Sequence, residues 1–356
     1  MSKFWNKTVK NIEPYVPGEQ PKDKKYIKLN TNENPYPPSP KVIEVIKNAV
    51  NGDLKLYPDP TCDNFISAIA DFYHISKDQV FVGNGSDEVL AFSFMAFFSK
   101  DKKIMFPEIS YSFYPVYAKL FNLDYETVKL DDEFNIPIEE FQKNSGGVVL
   151  PNPNAPTSKY IEPENLIKIL EANKDCVVII DEAYIDFGGE SMVKYIDKYP
   201  NLLVIQTLSK SRSLAGLRGG FAIGNKELIE GLNRVKNSMN SYTLDRIAIA
   251  GSTAAMQDVE YFNTTRQKVI NTRENTVKAL KDMDFVVYDS KANFIFTKHK
   301  SIPGPYLFEK LKANGILVRH FSKPEIINDY LRISIGTDEE MNKMLDVLKE
   351  IINSYR

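Results

Sequence analysis

Cysteine is almost missing from this sequence: Cys62 and Cys176 are the only two in 356 residues. Two thiols cannot build a disulfide framework, so the fold must rest on an apolar core, as in proteins of a reducing cytosol. Histidine is nearly as scarce, and His74, His299 and His320 have no spacing suited to a metal ion. No metal site is expected. An excess of one charge is missing too, with 45 Lys and Arg against 47 Asp and Glu. That balance argues against a nucleic-acid binder that works by general basicity. No apolar stretch approaches the roughly 20 residues that span a bilayer. The opening "MSKFWNKTVKNIEPYVPGEQ" is polar and broken by prolines, unlike a signal peptide. The glycine fingerprint of dinucleotide binding also fails: Gly83 and Gly85 begin it, but position 88 is Glu. These absences point to a cytoplasmic globular protein that binds neither nucleic acid nor membrane.

What is present is regular. Short apolar runs ended by turn residues recur through the middle of the chain: "QVFVGNGS", "KKIMFPE", "YETVKL", "GGVVLPNPNAP", "CVVIIDEAY", "LLVIQTLSK" and "GGFAIGN". Runs apolar on successive residues suit strands buried on both faces. Helical patterns such as "DEVLAFSFMAFFS" and "PENLIKILEAN" lie between them. The alternation predicts an α/β fold with a mostly parallel central sheet between helices. The length suggests two domains. Residues 46–244 are read as a large ligand-binding domain, 245–356 as a smaller α+β domain, and 1–45 as an arm packed on it.

Polar residues gather immediately after the apolar runs. Asp181 follows "CVVII", with Tyr184 close behind; Ser209 and Lys210 end the next run, and Arg218 comes eight positions later. An earlier run ends in Gly83-Asn84-Gly85-Ser86-Asp87-Glu88 and opens an apolar helix. Each has an ordinary reading alone. Ser or Asp before a helix is a common cap, an aspartate after a strand often opens a loop, and a lysine there is usually solvated. Together they meet the needs of pyridoxal 5′-phosphate. That cofactor takes a lysine for its Schiff base and an acid at its pyridine nitrogen, where an opposite charge favours the protonated ring. Its phosphate takes N–H groups at a helix start, which Gly85, Ser86 and Asp87 offer. Ser209 and Arg218 add a hydroxyl and an arginine fork. Tyr111, in "PEISYSFY", offers an aromatic face for the ring.

"DEAYIDF", "TLSKSRSLAGLRGGF", "LNTNENPYPPSP" and "LRISIGT" resemble the motifs of fold-type I pyridoxal-phosphate aminotransferases. "NENPYPPSP" and "LYPDP" are similar, more narrowly, to the histidinol-phosphate branch. The likeness runs from "PYVPGEQ" to "LRISIGT", nearly the whole chain. It implies that Lys210 holds the cofactor and moves the substrate proton, that Asp181 pairs with the ring nitrogen, and that Tyr184 bonds the ring hydroxyl oxygen. Tyr57 resembles a tyrosine that reaches the cofactor phosphate from a neighbouring subunit, which implies a homodimer. Arg332 resembles the arginine that grips the substrate carboxylate, and Arg319 its phosphate-gripping companion. Tyr15 resembles a tyrosine that closes over the substrate, and Asn32 with Glu33 would shape the entrance. The implied reaction is a ping-pong exchange between L-glutamate/2-oxoglutarate and imidazole-acetol phosphate/L-histidinol phosphate, in histidine biosynthesis. The lysine and aspartate motifs alone leave other members open: an aromatic or phosphorylated-amine aminotransferase, or a threonine-phosphate-type decarboxylase.

One position departs from the family pattern Asn-Pro-Asn-Asn-Pro-Thr-Gly. The chain reads Asn152-Pro153-Asn154-Ala155-Pro156-Thr157-Ser158, with alanine where the asparagine that bonds the ring oxygen belongs. A methyl group cannot make that bond, so either Asn154 reaches the oxygen instead or Tyr184 bears that role alone; the expectation is that Asn154 takes it over.

Overall fold

All seven apolar runs are strands of one sheet in the computed structural model, which describes residues 2–16 and 18–355. In chain order the strands are β1 (Ile27–Lys28), β2 (Val80–Asn84), β3 (Ile104–Pro107), β4 (Tyr125–Val128), β5 (Gly147–Pro151), β6 (Val178–Asp181), β7 (Leu202–Thr207) and β8 (Gly219–Gly224). They continue with β9 (Phe285–Val287), β10 (Phe294–His299), β11 (Ile316–Leu317), β12 (Arg319–His320) and β13 (Leu331–Ser334). The large sheet runs β2-β8-β7-β6-β5-β3-β4, parallel except for β8, which is antiparallel to both neighbours. A parallel return needs a crossover, usually a helix. The 208–218 link holds only the short turn Ala215–Leu217, so β8 must run back beside β7.

Both faces of this sheet are covered. Val178 and Ile180 point into a core with the helices Asp63–Tyr73, Pro163–Ala172 and Arg246–Gln257. Ile179 and Ile205 point into the opposite core, with Gly85–Phe97, Phe113–Leu120 and Lys226–Met239. Side chains alternate between faces along a strand, so a one-residue slip of β6 would exchange these cores and displace Asp181 from its place.

The smaller body is an antiparallel sheet, β12-β13-β10-β9, with the separate parallel pair β1 and β11. The helices Val259–Lys281, Gly304–Ala313 and Asp338–Tyr355 pack on it. The domain division expected after residue 244 shifts. Helix Arg246–Gln257 contributes Ala248, Ile249, Ala254, Ala255 and Met256 to the core of the large body, as Pro40–Ala49 contributes Val42. The three alanines among them let the helices approach, and the charge-speckled helix of the smaller body begins only at Val259. The two bodies interlock at the loop after β6. Phe187 is fully buried in the smaller core, and Arg273 donates to the carbonyls of Phe187 and Ala292 at 2.8 and 2.9 Å. Among the described residues no helix is long and apolar enough to cross a membrane.

Candidate active site

Strand direction explains why Lys210 and Arg218 lie close together. Thr207, the last residue of β7, pairs with Gly220 near the start of β8, and Asn84, ending β2, pairs with Gly219. Asp181 ends β6 in register with Ile205. The link 208–218 therefore leaves and re-enters the sheet at its carboxyl edge, where open α/β sheets bind ligands. A cavity of about 260 Å³ opens there between the two bodies. Its wall includes Lys210, Asp181, Tyr184, Ser86, Asp87, Tyr111, Ser209, Arg218, Tyr15, Asn32, Arg319 and Arg332.

Asp181 lies at the floor and is 5 % exposed. Tyr114 donates to its Oδ2 at 2.7 Å and the Ala183 N–H to its Oδ1 at 3.2 Å. Burial pushes its pKa up to about 6, against the pull of these two donors. Tyr184 takes a hydrogen bond from Asn32 Nδ2 at 3.0 Å, which leaves its own proton free for another partner. Asn32 is itself fixed: its N–H donates to Ser334 Oγ, and that hydroxyl donates back to Asn32 Oδ1. Lys210 Nζ contacts the Thr31 carbonyl at 3.4 Å and stands 5.7 Å from the centroid of the Tyr184 ring. No carboxylate ion-pairs with it among the described residues. Asn34 Nδ2 donates to the Lys210 carbonyl at 2.9 Å and so fixes the backbone beneath the amine.

The helix Gly85–Phe97 opens toward the cavity, and the side chain of its N-cap residue Asn84 makes no capping bond. Its free N–H groups and dipole favour an anion. The approach is close because glycine allows it. A Cβ on Gly220 would lie 2.4 Å from Ser86 N, and one on Gly85, whose φ is +77°, would lie 2.5 Å from the Arg218 guanidinium. Arg218 donates to Asp87 Oδ2 at 3.0 Å and Tyr111 donates to Asp87 Oδ1 at 2.7 Å, so one carboxylate steadies both. Thr207 and Ser209 place their hydroxyls 3.0 Å apart on this side.

The opposite wall is cationic. Arg319 and Arg332 are cross-strand partners in β12 and β13. Arg332 donates to the Asn30 carbonyl at 2.8 Å, and burial lowers its pKa, with Arg319 adding to the effect. Neither forms an ion pair with a carboxylate among the described residues. Tyr15 closes this end and stacks on Phe113 with ring centroids 4.4 Å apart.

Three predicted site residues lie elsewhere. Gly85 sits under Arg218 and acts as a steric allowance rather than as wall. Tyr57 is 78 % exposed and stacks on Tyr242. Asn154 is fully buried outside the cavity wall, and its Nδ2 donates to Ile109 O and Thr157 Oγ1, both at 2.9 Å. That amide has no donor left for a ring oxygen, so the expected takeover by Asn154 fails in this geometry. Sequence reasoning missed Thr207, Thr31 and Tyr114. Thr207 was legible, since it lies two positions before Ser209 and neighbouring alternate residues share a face. Thr31 acts through its backbone, which no side-chain pattern reveals.

The chain belongs to the aminotransferases: the family model described as aminotransferase class I and II matches residues 24–348. Within that class it is 64% identical over 354 residues to the histidinol-phosphate aminotransferase of Clostridium beijerinckii, covering 99% of both chains. It is 62% identical to the enzyme of the same name from Clostridium acetobutylicum, covering 99% of this chain and 100% of that one. The crystal structure of histidinol-phosphate aminotransferase from Sinorhizobium meliloti, in complex with pyridoxal-5′-phosphate, has the same fold: TM-score 0.88 at 21% identity, with 100% and 99% of the two chains covered.

Proposed function

We infer that this chain is a pyridoxal-phosphate-dependent transaminase that moves an amino group between L-glutamate and imidazole-acetol phosphate, giving 2-oxoglutarate and L-histidinol phosphate. One observation carries the reading: a single cavity is lined by Lys210, the buried Asp181, and Arg319 and Arg332, and none of these three cations is ion-paired with a carboxylate among the described residues. The relatives' names supply the substrate pair.

The residues fit the cofactor. The helix start at Gly85 and Ser86, with the glycine clearance beneath it, suits a phosphate. Asp181, with its pKa raised by burial, suits a partner that brings a positive charge. Lys210 would hold the cofactor covalently, Ser86, Asp87, Ser209 and Arg218 its phosphate, Asp181 its ring nitrogen, Tyr184 its ring oxygen, and Tyr111 the ring face. Bound there, the group supplies an electron sink for the bonds broken at the substrate carbon.

The chain's own residues do the rest. Arg332 binds the substrate carboxylate and Arg319 the phosphate ester, each by its fork of donors. Lys210 moves the proton at the substrate α-carbon, steered by the Thr31 carbonyl. Asn32 keeps the Tyr184 hydroxyl aimed, and Tyr15 excludes water at the mouth. The active form in this reading is a cytoplasmic homodimer. Leu54, Leu56 and Tyr57 stand exposed together, and a second copy covering them would use Tyr57 at its own phosphate seat.

The test is spectroscopic. Wild type with pyridoxal 5′-phosphate should develop a visible band that histidinol phosphate alters. Lys210→Ala should lose about 10⁴-fold or more in turnover and any borohydride-fixed cofactor. A fully active Lys210→Ala variant would reject the reading.

A further inference from the structure

Tyr111, Tyr114 and Tyr117 recur every three residues at and along the helix Phe113–Leu120, and each hydroxyl has a partner. Tyr111 donates to the Asp87 carboxylate and Tyr117 to the Asp87 carbonyl at 3.0 Å, both at the helix-start end of the cavity. Tyr114 alone turns to the other end. Its hydroxyl is 2.7 Å from Asp181 Oδ2, and the side chain is 0 % exposed. It does not line the cavity, so it cannot touch a ligand there. Its ring is held between Phe106 and Tyr111, with centroids at 5.8 and 5.7 Å.

A buried tyrosine needs an acceptor, so the bland account is that Asp181 satisfies Tyr114. The geometry argues for the reverse direction as well. Asp181 is the last residue of β6, and beyond it the chain turns into a loop. Its carboxylate has two fixing contacts: the Ala183 N–H at 3.2 Å on Oδ1 and the much shorter Tyr114 bond on Oδ2. Other charged or titratable groups that act on this pair are Asp87, Lys210, Tyr111 and Tyr184. Asp87 opposes ionisation of Asp181, Lys210 favours it, and Tyr114 is the strongest donor that keeps the carboxylate anionic against burial.

We propose that Tyr114 is a positioning residue for the transamination site: its hydroxyl fixes the rotamer of Asp181 and holds it ionised toward the ring nitrogen of the cofactor. This rests on the cofactor reading above. Losing a hydrogen bond to a charged group corresponds to roughly tenfold or more in an equilibrium constant.

The experiment measures pyridoxal 5′-phosphate affinity by the visible band across pH for wild type, Tyr114→Phe, Asp181→Asn and the double variant. Phenylalanine keeps the ring packing and removes the bond. Tyr114→Phe should bind about tenfold more weakly, and the midpoint of pH-dependent binding should move up by about one unit, because Asp181 then holds its proton longer. In the Asp181→Asn background the Tyr114→Phe effect should vanish. Equal affinity and an unmoved midpoint in Tyr114→Phe, or an undiminished effect beside Asp181→Asn, overturns the proposal while leaving wild-type binding intact. Failure of the wild type to bind at all would instead remove the cofactor reading. Should Tyr114→Phe not fold, 3-fluorotyrosine at position 114, a stronger donor, should move the midpoint down; an unmoved midpoint overturns the proposal.

Discussion

The two walls of the cavity are charged in opposite senses and built on different sheets. The floor carries Asp181 on a strand flanked on both sides by parallel neighbours, and burial makes that acid reluctant to ionise. The facing wall carries Arg319 and Arg332 on an antiparallel sheet of the smaller body, and burial makes Arg332 easier to deprotonate than a free guanidinium. Each wall holds a desolvated charge that has no ion-pair partner among the described residues. A ligand that brings a cation to the floor and an anion to the facing wall relieves both. This unpaired charge is what the two bodies contribute together, and neither body holds both walls.

Removing one wall at a time separates their roles. Asp181→Asn keeps the shape and removes the charge, so kcat should fall by about 10²–10³-fold, the scale of losing one preorganised electrostatic group. Arg332→Ala should cost about 10²-fold in kcat/KM for glutamate and less for histidinol phosphate, which has no carboxylate to present to it. Arg319→Ala should penalise the phosphorylated substrate more than glutamate. Equal losses for both substrates in steady-state kinetics would show that the two arginines do not divide the work.

The floor should also govern how stability depends on pH. Asp181 is raised to about 6, and Glu182, buried beside Ser191, Gln206 and the Met192 N–H, is raised to about 7, in both cases chiefly by desolvation. Raised acids bind more protons folded than unfolded between about pH 4 and 7. Their contribution is therefore full below the unfolded pKa and is lost as pH rises through the folded one. Cofactor-free protein should lose roughly 3 kcal/mol per group across that window, at 1.36 kcal/mol per pKa unit. Urea melts at pH 4 and pH 8 check this, and Asp181→Asn should flatten the slope. The smallest effect is expected at Asn154→Ala. It removes two buried bonds, destabilises by about 1–3 kcal/mol, and leaves the pH titration of the visible band where it was.

Much of the fold was legible because period-one apolar runs of this length suit strands covered on both sides. The runs "CVVIIDEAY" and "LLVIQTLSK" also showed Asp181, Ser209 and Lys210 at strand ends. The division after residue 244 was less legible. Helix Arg246–Gln257 is helical in pattern like its successor Val259–Lys281, and only its packing against Pro40–Ala49 and Asp63–Tyr73 assigns it to the large body. Asn154 misled for a related reason. Its residue type suits a ring oxygen, but a side-chain amide goes to whichever carbonyl lies nearest, and here that is Ile109.

The order of hydrophobic and polar residues by itself determined the α/β class, the strand count of the large sheet and the chemistry gathered at its carboxyl edge. These depend on local periodicity, which the chain carries in any conformation. The tertiary structure alone decided which charges meet. The antiparallel return of β8 brings Arg218 back to Lys210, the smaller body sets Arg332 across from Asp181, and Tyr114 reaches a carboxylate far along the chain. Such contacts depend on distance in space, which spacing in sequence does not encode.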